Sequence, residues 1–140
     1  MVSQGGHGEF YLLISNEKIR DHLFDLLQRN RYRPEVKAGL NELSSALKDR
    51  HDAIVLLDNE SVAIFGVGIF VKIKAAAPDS RIILLCEQTH RELVKEAMEY
   101  GSYGCILEPY AEWEVLTMVR HILSDTQPRK RRPGKGRKKS

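Results

Sequence analysis

Short apolar runs alternate along this chain with longer stretches in which apolar residues recur every three or four positions. Phe10 to Ile14 is unbroken apolar sequence, as is Ala53 to Leu57, and Ile82 to Cys86 follows Arg81 in the same way. Runs of this length and density predict strands covered on both faces. Cys105 to Leu107 is a shorter run of the same kind, and Pro34 to Ala38, supported mainly by Val36, is a weak one. Between them, Ile19, Leu23, Phe24, Leu26 and Leu27 fall at helical spacing, and Leu40, Leu43, Ala46 and Leu47 form a second stripe. Val67, Phe70, Val71 and Ile73 give a third helix within 66–77, after a predicted loop over 59–63. A fourth is predicted from Thr89, a good N-cap with Glu92 three residues on, to a stop at Gly101. The last carries Trp113, Leu116, Val119, Ile122 and Leu123.

Strand and helix therefore alternate five times. That order predicts an α/β domain, a single doubly wound five-stranded parallel sheet with helices on both faces. Residues 1–9 read as a flexible Gly-rich N-terminus, 10–124 as the domain and 125–140 as a disordered basic tail. In such sheets ligands gather at the carboxyl ends of the strands. Those ends are Ser15, Asn16 and Glu17, then Asp58, then Cys86 with Glu87, then Glu108.

Charge changes the picture in one respect. The net charge is +3, but Arg129, Lys130, Arg131, Arg132, Lys135, Arg137, Lys138 and Lys139 all lie in the last 13 residues, with no acidic partner. That leaves 14 of the 22 Lys and Arg against all 19 Asp and Glu in residues 1–127, a net of −5. An acidic body thus carries a basic tail, suited to nucleic acid, anionic lipid or the body itself. The two cysteines, Cys86 and Cys105, sit in apolar runs and read as buried free thiols in a reducing compartment. No run is long enough to span a bilayer, the N-terminus lacks the pattern of a secretory signal, and the expected location is cytoplasmic. The five histidines share no metal-binding spacing, and no phosphate loop or nucleophile elbow is present, so no enzyme class is indicated.

Three segments carry a family likeness. The run Gly101-Ser-Tyr-Gly-Cys-Ile-Leu-Glu-Pro-Tyr110 is the strongest. The apolar strand ending at Asp58, with Gly66 eight residues on, is the second, and Leu12-Leu-Ile-Ser-Asn-Glu17 is the third. Over residues 10 to about 124 the chain resembles the receiver domain of bacterial response regulators, of flavodoxin-like topology. The resemblance implies a phospho-acceptor Asp, two acidic residues holding Mg²⁺, a Thr or Ser, an aromatic switch residue and a Lys contacting the phosphoryl group.

Set against that pattern, Asp58 stands at the acceptor position, although a slip of one residue would put Leu57 there. Ser15 and Asn16 stand for the acidic pair, or Asn16 and Glu17 in the shifted register, so Glu17 is the one candidate Mg²⁺ ligand among them. Cys86 replaces the Thr or Ser, Cys105 the aromatic residue and Glu108 the Lys. A carboxylate about 4 Å from a phosphoryl charge opposes it by about 4 kcal/mol at an effective dielectric near 20. The expectation is a degenerate receiver, a signal-transduction module acting mainly through protein contacts, with weak or absent phosphorylation. The alternatives are a working acceptor at Asp58 and a nucleic-acid-associated protein binding through its tail. Receivers commonly dock partners, or each other, through the fourth helix, fifth strand and last helix. Tyr103, Tyr110 and Trp113 are the interface candidates there, Trp113 being either a core or rim residue or an exposed anchor.

Overall fold

The computed structural model describes residues 9–48, 50, 52–87 and 89–125. The expected flexible N-terminus (apart from Glu9), His7, His51 and the basic tail from 126 onward lie outside the described residues. The chain divides into two units, Met1–Tyr110, which holds the whole sheet, and Ala111–Ser140, which holds the last helix.

Five parallel strands form one sheet in the order β2-β1-β3-β4-β5: β1 (Glu9–Leu13), β2 (Arg33–Val36), β3 (Ile54–Asp58), β4 (Arg81–Glu87) and β5 (Gly104–Glu108). Among the described residues the helices are α1 (Glu17–Arg29), α2 (Leu40–Leu47), α3 (Asn59–Phe65), α4 (Gly68–Ala76), α5 (Arg91–Glu99) and α6 (Glu112–Asp125). The strand order reverses at β1, which leaves a crevice between the carboxyl ends of β1 and β3.

Strand alternation sorts the core into two layers. Tyr11, Leu13, Val55, Leu57, Ile82, Leu84 and Cys86 pack in one cluster with Leu43 and Leu47 of α2, Ile69, Phe70 and Ile73 of α4 and Ala97 of α5. Phe10, Leu12, Ile54, Leu56, Ile83 and Leu85 have the opposite parity and are also fully or nearly fully buried, as are Leu23, Leu26 and Leu27 of α1. Such continuous apolar strands are what a sheet covered on both faces requires.

Three local expectations are corrected. Residues 59–63 form most of α3 rather than a loop, because the Asp58 side chain accepts from the Ser61 N–H and caps the helix. The third helix begins only at Gly68, after Gly66 has ended α3 with φ +82, a value an L side chain rarely adopts. The cap of α5 is His90 rather than Thr89, and no side chain bonds there; the His90 N–H bonds to the Glu87 carbonyl at 3.0 Å instead. Gly101, with φ +101, does follow the end of α5 as expected.

Within the second unit, α6 buries Val115, Val119 and Ile122, while Trp113 is 67% exposed. The buried positions are spaced four and three residues apart, a stripe that leaves Trp113 out. Of the two places open to Trp113, the exposed one is found.

Candidate functional site

The crevice between β1 and β3 is closed from within. Asp58 ends β3 and is 1% exposed. Its Oδ1 accepts from the backbone N–H of Ser15 at 3.1 Å and of Ser61 at 2.9 Å, and its Oδ2 accepts from the N–H of Asn16 at 2.9 Å. The same carboxylate thus caps α3 and anchors the loop that leaves β1. Leu57 is fully buried in the core layer, so Asp58 is the residue at the strand end.

Ser61 completes the closure. It is fully buried and its hydroxyl donates to the Leu13 carbonyl at 2.9 Å. With that proton committed, the Ser15 hydroxyl 3.0 Å away is the donor to Ser61 Oγ. Asn16, the other counterpart of the acidic pair, spends its side chain on α1: Oδ1 accepts from the Ile19 N–H at 3.1 Å. Glu17 is an exposed first-turn residue of α1, favoured there by the helix dipole.

These residues do not fit a Mg²⁺ ion. A small hard cation takes oxygen ligands, usually with one or two carboxylates. Here both Asp58 oxygens already accept backbone N–H groups, and Asn16 is engaged as a cap. Among the described residues no group of three or more His, Cys, Asp or Glu side chains is placed to hold a metal ion.

The remaining counterparts lie at the ends of β4 and β5. Glu87 and Glu108 are partners across the two strands. Burial pushes the Glu108 carboxyl above the usual range, and Glu87, Asp58 and Glu60 add to the rise, against a smaller opposing effect of His90. His90 Nε2 lies 3.7 Å from Glu87 Oε1. Acidic groups therefore converge at the strand ends where the resemblance calls for a Lys.

A raised carboxyl pKa favours folding at low pH and costs stability as the pH climbs through the raised value. Replacing Glu108 by Gln should therefore leave stability unchanged below about pH 4 and raise it at pH 7. The expected gain is about 0.2–1 kcal/mol, the size of a relieved like-charge cross-strand pair. Urea melts of the two proteins at pH 4 and 7 measure it; equal stability at both pH values would mean that Glu108 is not strained.

Cys86 is fully buried, and its Sγ lies 3.7 Å from the His90 carbonyl. Burial foremost, with Cys105, Glu108 and Glu87 adding to it, pushes the thiol up to about 11. Cys105 is half-buried, its thiol also raised by burial, and its Sγ lies 4.0 Å from Met98 Sδ. Both cysteines are free. Protonated at neutral pH, they are poor nucleophiles and weak hydrogen-bond donors.

The three aromatic candidates are dispersed in role. Tyr110 is half-buried, its hydroxyl 2.9 Å from His22 Nδ1 with the rings stacked at 5.7 Å. Tyr103 is half-buried, and its N–H bonds to the Ile82 carbonyl at 2.8 Å. Trp113 alone is largely exposed.

Sequence reasoning missed Ser61 and His22. Asp58 followed by Asn59 and Glu60 was a usable signal for the first: a favoured cap residue with an acid in the first turn opens a helix and puts the residue at 61 within reach. Nothing in the sequence joins His22 to Tyr110, 88 positions away.

An open, doubly wound parallel sheet whose polar groups gather at the strand carboxyl ends defines the class of protein. Within it, the chain has the receiver fold of response regulators. It is similar to NtrX from Brucella abortus in complex with ADP (TM-score 0.74, 18% identity, 84% of this chain and 26% of that one). It is similar to full-length FixJ from B. japonicum (0.77, 19%, 86% and 60%). It is likewise similar to the receiver domain of the sensor histidine kinase PA1611 from Pseudomonas aeruginosa, solved with magnesium coordinated in its active site cleft (0.72, 15%, 84% and 98%). The chain thus spans about a quarter of the NtrX chain and 60% of the FixJ chain. No family model and no curated protein matches it.

Proposed function

We propose that this chain is a non-enzymatic, receiver-like signalling module of the cytoplasm that works by binding a protein partner, without phosphorylation of Asp58. The observation that carries this reading is the state of Asp58: 1% exposed, with its carboxylate accepting three backbone N–H groups. A phospho-acceptor must present a free oxygen in line with the incoming phosphoryl group, beside positive charge that stabilises the transition state. Here each oxygen is engaged, the resemblance sets Ser15 and Asn16, or Asn16 and Glu17, at the acidic pair, and it sets Glu108 where a Lys is needed. The PA1611 receiver was solved with magnesium in its cleft, whereas among the described residues of this chain no group of three or more His, Cys, Asp or Glu side chains is placed to hold a metal ion.

Incubation with acetyl phosphate and Mg²⁺, followed by intact-mass measurement, tests the reading. No phosphoryl adduct is expected, and Glu108→Lys should not create one, because Asp58 stays engaged. An adduct on the native chain that Asp58→Asn removes would establish a working acceptor instead.

Trp113 is the candidate anchor for the partner, since an exposed Trp desolvated at the centre of a contact is a typical hot spot. Trp113→Ala should leave the melting temperature within about 2 °C, an exposed site being worth little to folding. It should weaken partner binding or self-association by about tenfold or more. Unchanged association in sedimentation and pull-down would remove Trp113 from the interface.

A further inference from the structure

Between Glu60 and Lys72 no residue is charged, a gap of eleven positions in a chain that is 29% charged. The gap holds most of α3, the turn at Gly66 and Val67, and the start of α4. Val62 of α3 and Ile69, Phe70 and Ile73 of α4 pack in one core cluster, so both helices turn their opposite faces away from it. Those outer faces have helical spacing: Glu60, Ala63 and Ile64 on α3, and Gly68, Val71, Lys72 and Ala75 on α4, all exposed. Ile64 is 66% exposed, Val71 54% and Phe65, which ends α3, 36%. Single exposed apolar residues are ordinary, but several together with no charge between them mark a contact surface. The core does not need them, and neither Asp58 nor Trp113 lies among them.

The two ends of this strip indicate what covers it. In chain order it runs acid, apolar, base: Glu60, then Ile64, Phe65 and Val71, then Lys72. Among the described residues no ion pair engages Glu60 or Lys72. Glu60 also adds, after burial, Glu87 and Asp58, to the rise of the Glu108 carboxyl, so it stands in a negative field that favours a cation from outside. A strip with an acid at one end and a base at the other is complementary to itself. Turned end for end about a two-fold axis, it sets acid against base twice and apolar against apolar between. We propose that two copies of this chain pair in this way, Ile64, Phe65 and Val71 of each packing against those of the other, with Glu60 facing the partner's Lys72 at both ends.

The charge pattern selects a second copy over a partner of one sign. A basic segment would be drawn to Glu60 and repelled by Lys72, and an acidic one the reverse, so either matches only one end. The same pattern fixes orientation, since a parallel pairing would set Glu60 against Glu60 and Lys72 against Lys72. Size sets the strength. The strip offers thirteen positions from Glu60 to Lys72, not all exposed. A stable interface uses about 20–30 residues a side. The dimer is therefore transient, with a dissociation constant on the order of 10–100 µM.

Sedimentation equilibrium of the full chain across that concentration range tests the pairing. Ile64→Ser, at a largely exposed position, should weaken the dimer by about tenfold or more, because the two-fold axis repeats the loss in both copies. Glu60→Lys and Lys72→Glu should each weaken it by about fivefold or more, since each sets like charges together at both ends. Mixed in equal amounts, these two variants should associate with each other at about native strength, because in the mixed pair every acid again faces a base. The mixture keeps the test sound if a substitution disturbs its helix, since a misfolded variant would not be rescued by another. A chain that stays monomeric at about 1 mM, tenfold above the weaker limit, overturns the proposal. Association that is unmoved by Ile64→Ser, or a mixture no tighter than either variant alone, also overturns it. A dimer dispersed by Trp113→Ala but not by Ile64→Ser would assign self-association to α6 and overturn it equally.

Discussion

Replacing Asp58 by Ala should destabilise the protein by about 3–5 kcal/mol, a large share of the 5–15 kcal/mol that holds a typical domain together. The carboxylate caps α3 through the Ser61 N–H, and losing such a cap costs about 0.5–2 kcal/mol. It also satisfies the N–H groups of Ser15 and Asn16 in a half-buried loop. Each donor left without a partner costs about 1–3 kcal/mol where water cannot replace it. Asp58→Asn should cost less, about 1–2 kcal/mol. Its amide oxygen can still accept from Ser15 and Ser61, while its NH₂ meets the Asn16 N–H donor to donor. Urea melts with comparable m-values measure both. A loss below about 1 kcal/mol for Asp58→Ala would mean that the carboxylate is not structural.

The second large effect is expected at Ser61. Ser61→Ala removes the hydroxyl that donates to the Leu13 carbonyl and receives the Ser15 hydroxyl. The Leu13 carbonyl, at the end of a central strand, keeps one partner fewer in a buried setting, and the cost should be about 1–3 kcal/mol. The pairing with Asp58 makes a sharper test. Both side chains tie the β1 exit to the start of α3, so once one is removed the other has less left to hold. The double variant Asp58→Ala/Ser61→Ala should be less destabilised than the sum of the singles by about 0.5–3 kcal/mol. Strict additivity would show that the two act independently, and that the crevice is closed by Asp58 alone.

Both predictions treat the crevice between β1 and β3 as a structural joint. The scaffold keeps the sheet, the switch point and an Asp at the end of β3. The polar groups at the ends of β1 and β3 hydrogen-bond to one another. Ser15 and Asn16 contribute backbone N–H groups where the resemblance calls for acidic side chains. Glu108 adds negative charge beside Glu87, so an incoming phosphoryl group would meet repulsion rather than attraction.

The sequence by itself determined the architecture. Unbroken apolar runs at β1, β3 and β4 have no stable place except a sheet covered on both faces, and the helical stripes between them supply the cover. The residue identities at the strand ends, Glu108, Cys86, Ser15 and Asn16, are equally legible there, and the resemblance implies that they depart from the receiver pattern. What it left to the tertiary structure were the meetings between distant positions. Whether Asp58 faces outward or turns in depends on donors 42 and 43 residues away, which arrive only when β1 pairs with β3. The helix over 59–65, where a loop is expected over 59–63, is capped by the same carboxylate. Trp113, which the sequence leaves open between core and surface, is exposed while Val115 is buried, since a period of 3.6 fixes the spacing of a buried stripe but not its phase. Periodicity reports which residues share a face. Which polar group finds which partner is decided by the packed fold, where an unmade hydrogen bond costs more than any local preference.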